Sequence, residues 1–217
     1  MVIFDCDGVL VDSERLTHAV VVDMLAEHGV ELSFEEAVDR FIGMSMANGL
    51  VQLKSLLGGE LPPDFLPEMG RRTRAAFRAG LTSVPGIEAV LDGLRQPYCV
   101  ASNGNHAKVN FTLGHTGLLP RFVGHATGRI FTAEDVLNPK PAPDLFLLAA
   151  HTLGAQPSHT TVVEDTPTGV KAAKAAGMRA IGFAAMTPAA RLQAAGADAI
   201  AHSMAEVAAL MAAWPRR

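Results

Sequence analysis

Short runs that are apolar on both faces and stop at polar or turn residues constrain this chain most, because a strand with no wet face must lie inside a covered sheet. They are VIF at 2–4, YCVAS at 98–102, TTVVED at 160–165, MRAIGF at 178–183 and ADAIA at 197–201. Amphipathic stretches at about 86–95, 142–153 and 167–176 lie between or beside them. Apolar strands alternating with helices predict a parallel sheet packed with helices on both sides, so the expected fold class is α/β. A chain of 217 residues, 49% hydrophobic, can bury such a core.

Residues 14–80 break the alternation. They hold no strand pattern and read as four helices, 14–28, 34–41, 46–56 and 64–79, punctuated at Gly29, Gly43 and Gly58-Gly59. Pro85-Gly86 marks the return to the α/β pattern. The expected organisation is a core of residues 1–13 and 81–217 with a helical insert, 14–80, after the first strand.

Charge narrows the partners. The formal net charge is -4, and the only basic cluster is RRTRAAFR at 71–78, so nucleic acid is not an expected partner. No uncharged stretch reaches the roughly 18 residues a membrane span needs, and the chain enters its first apolar run at Met1-Val2 without a basic leader. Cys6 and Cys99 sit in apolar stretches and are expected to pack as small hydrophobes rather than form a disulfide. A cytoplasmic protein, monomeric or weakly dimeric, acting on a small molecule fits these features. The eight histidines show no metal-ligand spacing.

In an open α/β sheet the ligand site lies beyond the carboxyl ends of the strands. Asp5 and Asp7 follow the first run, Ser102 ends the second, and Glu164-Asp165 ends the third. Three strand tips thus deliver polar groups to one edge. Acids so close repel one another, and a hard cation such as Mg²⁺ beside a phosphoryl group gives them a reason to coexist.

Taken in order, DCDGVLVDSE (5–14), SNG (102–104), NPKPAPDLF (138–146) and VVEDTPTGVKAA (162–173) resemble the four motifs of the haloacid dehalogenase-like hydrolase superfamily. Within it the chain is most similar to the β-phosphoglucomutase and sugar-phosphate phosphatase branch. The resemblance implies a Rossmann-like, doubly wound parallel sheet with an inserted all-helical cap. It implies that Asp5 is a nucleophile forming an aspartyl-phosphate and that Asp7 is the general acid and base, held partly protonated near neutral pH. Ser102 and Lys140 would bind the phosphoryl oxygens, with backbone N–H groups of Asn103 and Gly104 contributing. Mg²⁺ would be held by Asp5, the backbone carbonyl of Asp7, Asp165 and, through water, Glu164. Gly43 and Ser45, in the cap stretch FIGMSMANG (41–49), would meet the substrate.

The implied reaction is Mg²⁺-dependent hydrolysis of a small phosphorylated metabolite, a sugar or sugar-acid phosphate. A closing cap would exclude bulk water and large substrates. A phosphomutase is the alternative, but it needs a cap arginine soon after the loop glycine, and Met44, Ser45 and Met46 follow Gly43. Carbon–halogen cleavage needs no second aspartate, and Asp7 is present. Phosphonate cleavage would use a cap lysine, and Lys54, the only one, has no supporting pattern. A non-catalytic binding module would be expected to have lost one of these groups. Arg71, Arg74 and Arg78 share one helix face, which either holds an anionic substrate group or is solvated surface.

Overall fold

The computed structural model describes residues 1–42, 44, 46–126 and 128–214. Six strands form one sheet: β1 (Val2–Phe4), β2 (Tyr98–Ser102), β3 (Ile130–Thr132), β4 (Thr161–Glu164), β5 (Arg179–Phe183) and β6 (Ala199–Ala201). All pairings are parallel, in the order β3-β2-β1-β4-β5-β6. That is the Rossmann order, in which the direction of strand addition reverses between β1 and β4. Five of these strands are the five runs expected from sequence. The sixth, β3, escapes because three residues at the sheet's edge give periodicity nothing to work on.

The helices are α1 (Ser13–Glu27), α2 (Phe34–Phe41), α3 (Met46–Leu56), α4 (Phe65–Gly80), α5 (Ile87–Gly93), α6 (His106–His115), α7 (Asp144–Thr152), α8 (Pro167–Ala175), α9 (Ala189–Ala194) and α10 (Met204–Ala213). Side chains on successive strand residues point to opposite faces. Val2, Phe4, Val100, Val163 and Ile181 therefore join one core with residues of α5, α6 and α10. Ile3, Cys99, Ala101, Val162 and Ala180 join a second core with residues of α7, α8 and α9. Both cysteines are free and buried, one in each core. β1, at the centre, is fully buried, which is why its sequence shows no polar alternation.

Between β1 and α5 the chain runs through α1–α4 and, among the described residues, no strand. Val20, Val21, Met24 and Leu25 of α1 pack with Leu53 and Phe65 in a third cluster. Exit and return lie side by side: the Asp12 N–H donates to the Thr82 carbonyl (2.9 Å) and the Val84 N–H to the Leu10 carbonyl (3.0 Å). Among the described residues no helix is long and apolar enough to cross a membrane.

Candidate active site

The site is built at the switch point between β1 and β4. The Asp5 N–H still donates to the Val163 carbonyl (3.0 Å), continuing the ladder one residue past β1. The chain then curls: the N–H groups of Leu10 and Val11 donate to the Cys6 carbonyl at 2.9 and 3.0 Å. Gly8 turns this loop at φ +72°, and a Cβ there would stand 2.1 Å from Asp165 Oδ2. A Cβ on Gly169, in the first turn of α8, would stand 1.8 Å from Glu164 Oε1. Two glycines thus leave the space that the two acids at the tip of β4 occupy.

Lys140 gathers the strand tips. It is buried, and its ammonium donates to Asp5 Oδ1 (2.6 Å), Glu164 Oε1 (2.7 Å) and the Ala101 carbonyl (2.7 Å), which uses all three of its hydrogens. The loop carrying it is tied to the tip of β2 by Asn103, whose side-chain amide donates to the Lys140 carbonyl and accepts from the Lys140 N–H, both at 3.0 Å. Ser102 is buried, and its hydroxyl oxygen accepts the Gly104 N–H at 3.0 Å. Asn103 and Gly104 therefore shape the loop by contacts of their own. Glu164 Oε2 accepts from both the N–H and the hydroxyl of Thr166 (3.0 and 2.8 Å), while Thr166 caps α8 through the Gly169 N–H.

Oxygens of Asp5, Glu164 and Asp165 lie within 4.8 Å of one another, all three residues buried. Asp5 stands at about 7: burial raises it most, the Lys140 ammonium draws it back, and the charges on Glu164 and Asp7 add to the rise. Asp165 is driven well above the usual carboxylate range by burial first and then by the charges of Glu164 and Asp5. Burial disfavours the Lys140 charge, yet Asp5 and Glu164 outweigh it and hold the ammonium protonated. Among the described residues Asp165 Oδ1 is buried without a hydrogen-bond partner. Three buried acids, one of them, Asp165, with an orphaned carboxylate oxygen, are an oxygen donor set suited to a hard divalent cation.

The Asp7 carboxylate turns elsewhere. Its Oδ1 accepts from the Ser13 hydroxyl (2.6 Å) and its Oδ2 from the Lys108 ammonium (2.7 Å). Burial works against its charge, but the charge of Lys108 and hydrogen bonds from Lys108 and Ser13 prevail and hold the carboxyl below its ordinary range. The expectation of a partly protonated Asp7 is corrected on this point, and Lys108 is the physical reason. Sequence reasoning missed Lys108 and Ser13 alike. A signal for Lys108 existed: it lies in the first turn of α6, where a cation opposes the helix dipole and needs a nearby acid.

Gly43 and Ser45 lie outside the described residues. Arg71, Arg74 and Arg78 are exposed; Arg71 is held by Glu68 of its own helix at 2.7 Å, and Arg78 lies 6.0 Å from the ring centre of Phe111. Lys54 pairs with Glu60 on the surface, and His106 with Asp135 at 2.8 Å.

Residues 1–177 match the family model described as haloacid dehalogenase-like hydrolase. The 6-phosphogluconate phosphatase of Escherichia coli (strain K12) is 31% identical over 186 residues, spanning 85% of this chain and 82% of that protein. Hexitol phosphatase A of the same organism is 30% identical over 214 residues, spanning 94% and 91%. The crystal structure of a conserved haloacid dehalogenase-like protein of unknown function from Agrobacterium tumefaciens superposes with a TM-score of 0.89 at 36% identity, covering 98% of this chain and 97% of that one.

Proposed function

Because the chain belongs to the haloacid dehalogenase-like hydrolases and is a phosphoric monoester hydrolase, we propose that it hydrolyses a small sugar or sugar-acid phosphate through an aspartyl-phosphate on Asp5. The observation that carries this reading is the Lys140 ammonium set between Asp5 and Glu164 beside the unpartnered Asp165 oxygen. The names of the similar phosphatases support the substrate class.

In the first step a carboxylate oxygen of Asp5 bonds to phosphorus while the bond from phosphorus to the ester oxygen breaks, and Asp7, which takes up a solvent proton as the negative charge of the bound phosphoester bears on it, gives that proton to the departing alkoxide. In the second a water oxygen bonds to phosphorus, Asp7 takes the water's proton, and the bond from phosphorus to Asp5 breaks, restoring both acids. Lys140 and Ser102 stand at the tips of the strands and loops where the phosphoryl oxygens would lie, and the buried ammonium favours the charge that develops there. The side chains of Asp5 and Asp165, with the backbone carbonyl of Asp7 and, through water, Glu164, would hold Mg²⁺, which when bound offsets the charge of the acids and the phosphoryl group. Residues 14–80 would serve as a cap over the core of residues 1–13 and 81–217, shutting out bulk water. The two free thiols suit the reducing cytoplasm.

Release of inorganic phosphate from a panel of sugar phosphates tests this reading. Turnover with added Mg²⁺, its loss in chelator, and at least about a thousandfold loss in Asp5→Asn are expected. Undiminished turnover by Asp5→Asn would remove Asp5 as nucleophile, and transfer of phosphate within a sugar without its release would make the protein a mutase.

A further inference from the structure

Each oxygen of the Asp7 carboxylate has a donor from a different part of the chain. Ser13, the first residue of α1, donates to Oδ1 at 2.6 Å, and Lys108, in the first turn of α6, donates to Oδ2 at 2.7 Å. Lys108 is itself placed. Its backbone N–H is fixed by the Asn105 side chain at 2.8 Å. Its stem lies along the loop after β2, where a Cβ on Gly104 would stand 3.4 Å from Lys108 Cδ and 3.3 Å from Ser102 Oγ. A cation in the first turn of a helix opposes the dipole, so its position is set by what it touches rather than by the helix. The two bonds leave the carboxylate little rotational freedom about its last torsion.

We propose that Lys108 and Ser13 are positioning residues that grip the Asp7 carboxylate from two sides and keep it oriented toward the ester oxygen of a bound alkyl phosphate. The inference rests on the reading of Asp7 as the proton-transferring group. Orientation matters most where the leaving group cannot depart without a proton, as with a sugar alkoxide, and least where it can, as with p-nitrophenolate. A residue that merely stabilised the fold or bound the phosphoryl group would affect both alike.

The test is single-turnover release of the leaving group, with Mg²⁺, from p-nitrophenyl phosphate and from a sugar phosphate that the parent enzyme hydrolyses. Lys108→Ala is expected to slow release of the sugar at least about tenfold while slowing p-nitrophenolate less than about threefold, within the range that general acid catalysis contributes. Apparent affinity should change little for either, and Lys108→Arg should recover part of the loss. Ser13→Ala, which removes the other donor, should shift the two rates in the same unequal way and carries the test should Lys108→Ala fail to fold. Equal slowing of both substrates, weaker binding at unchanged rates, or no effect from either variant would overturn the proposal. Asp5→Asn separates the two layers: if it still releases both leaving groups, the nucleophile reading has failed, whereas if it is inert and the variants lack selectivity, only the grip has failed.

Discussion

A buried acid at a reacting centre is held there at a cost, and Asp5 shows both sides of that. Burial raises its carboxyl from 3.8 to about 7, so the folded chain binds more protons than the unfolded one between those values, and the stability contributed by Asp5 falls as pH rises through that window. Above it, the ionised carboxylate opposes folding in full. In chelator-treated protein, Asp5→Asn is therefore expected to melt higher than the parent, the gain growing as pH rises from 3.8 to about 7 and levelling off above. Its size should be on the order of 1 kcal/mol, or about 2–4 °C for a domain of this length. Thermal melts across that range check it, and a gain that shrinks with rising pH would contradict the burial argument. Gly8 and Gly169 carry a related lesson: at each, a carboxylate occupies the space that a side chain would need.

Among the elements, α1 and α4 are joined at the surface by Arg72, whose guanidinium reaches Glu27 of α1 and Glu68 of its own helix. Hydrogen bonds from Arg71 and Arg72 draw Glu68 down from 4.5 to about 2, and Glu27 is lowered chiefly by its hydrogen bond from Arg72. A depressed carboxyl stabilises the fold above its unfolded value and loses that contribution as pH falls through its folded value. Acidification from pH 4.5 toward 2 should therefore lower the melting temperature of the parent more steeply than that of Arg72→Ala. The difference is expected to be small and to shrink in high salt, since the pair is exposed.

The same elements show how much the sequence carries. The four helices of the insert fall within about two residues of their expected ends because glycines and an N-cap serine mark them; Ser33 forms a full capping box with Glu36. The apolar runs gave five strands for the same kind of reason. At the site, Asp5, Ser102, Lys140, Glu164 and Asp165 were legible because each ends a strand or sits in a motif. Lys108 was not, since its contact with Asp7 spans 101 residues of sequence and depends on how α6 leaves the sheet. Ser13 was hidden differently: it lies just before the expected start of its helix and spends its hydroxyl on Asp7.

For the molecule as a whole, the acids at the β1–β4 switch point are a local excess of negative charge within a chain of net charge -4. A divalent ion bound only by the folded protein stabilises it by mass action, about 2.7 kcal/mol at a hundredfold excess over Kd. Added Mg²⁺ should then raise the melting temperature by about 5–10 °C, and Asp165→Asn, which removes the carboxylate bearing the unpartnered oxygen, should abolish most of that rise. Differential scanning fluorimetry with and without Mg²⁺ measures both, independently of turnover.

The neighbouring exit and return of the chain are tied by the Asp12–Thr82 and Val84–Leu10 backbone bonds, so both segments leading to the four inserted helices pass through one narrow collar, the jamb of the insert. Ser13 stands at that jamb with its hydroxyl on Asp7. Were the inserted helices to move as the proposed cap, a shift at that collar would reach the Asp7 carboxylate through one hydrogen bond.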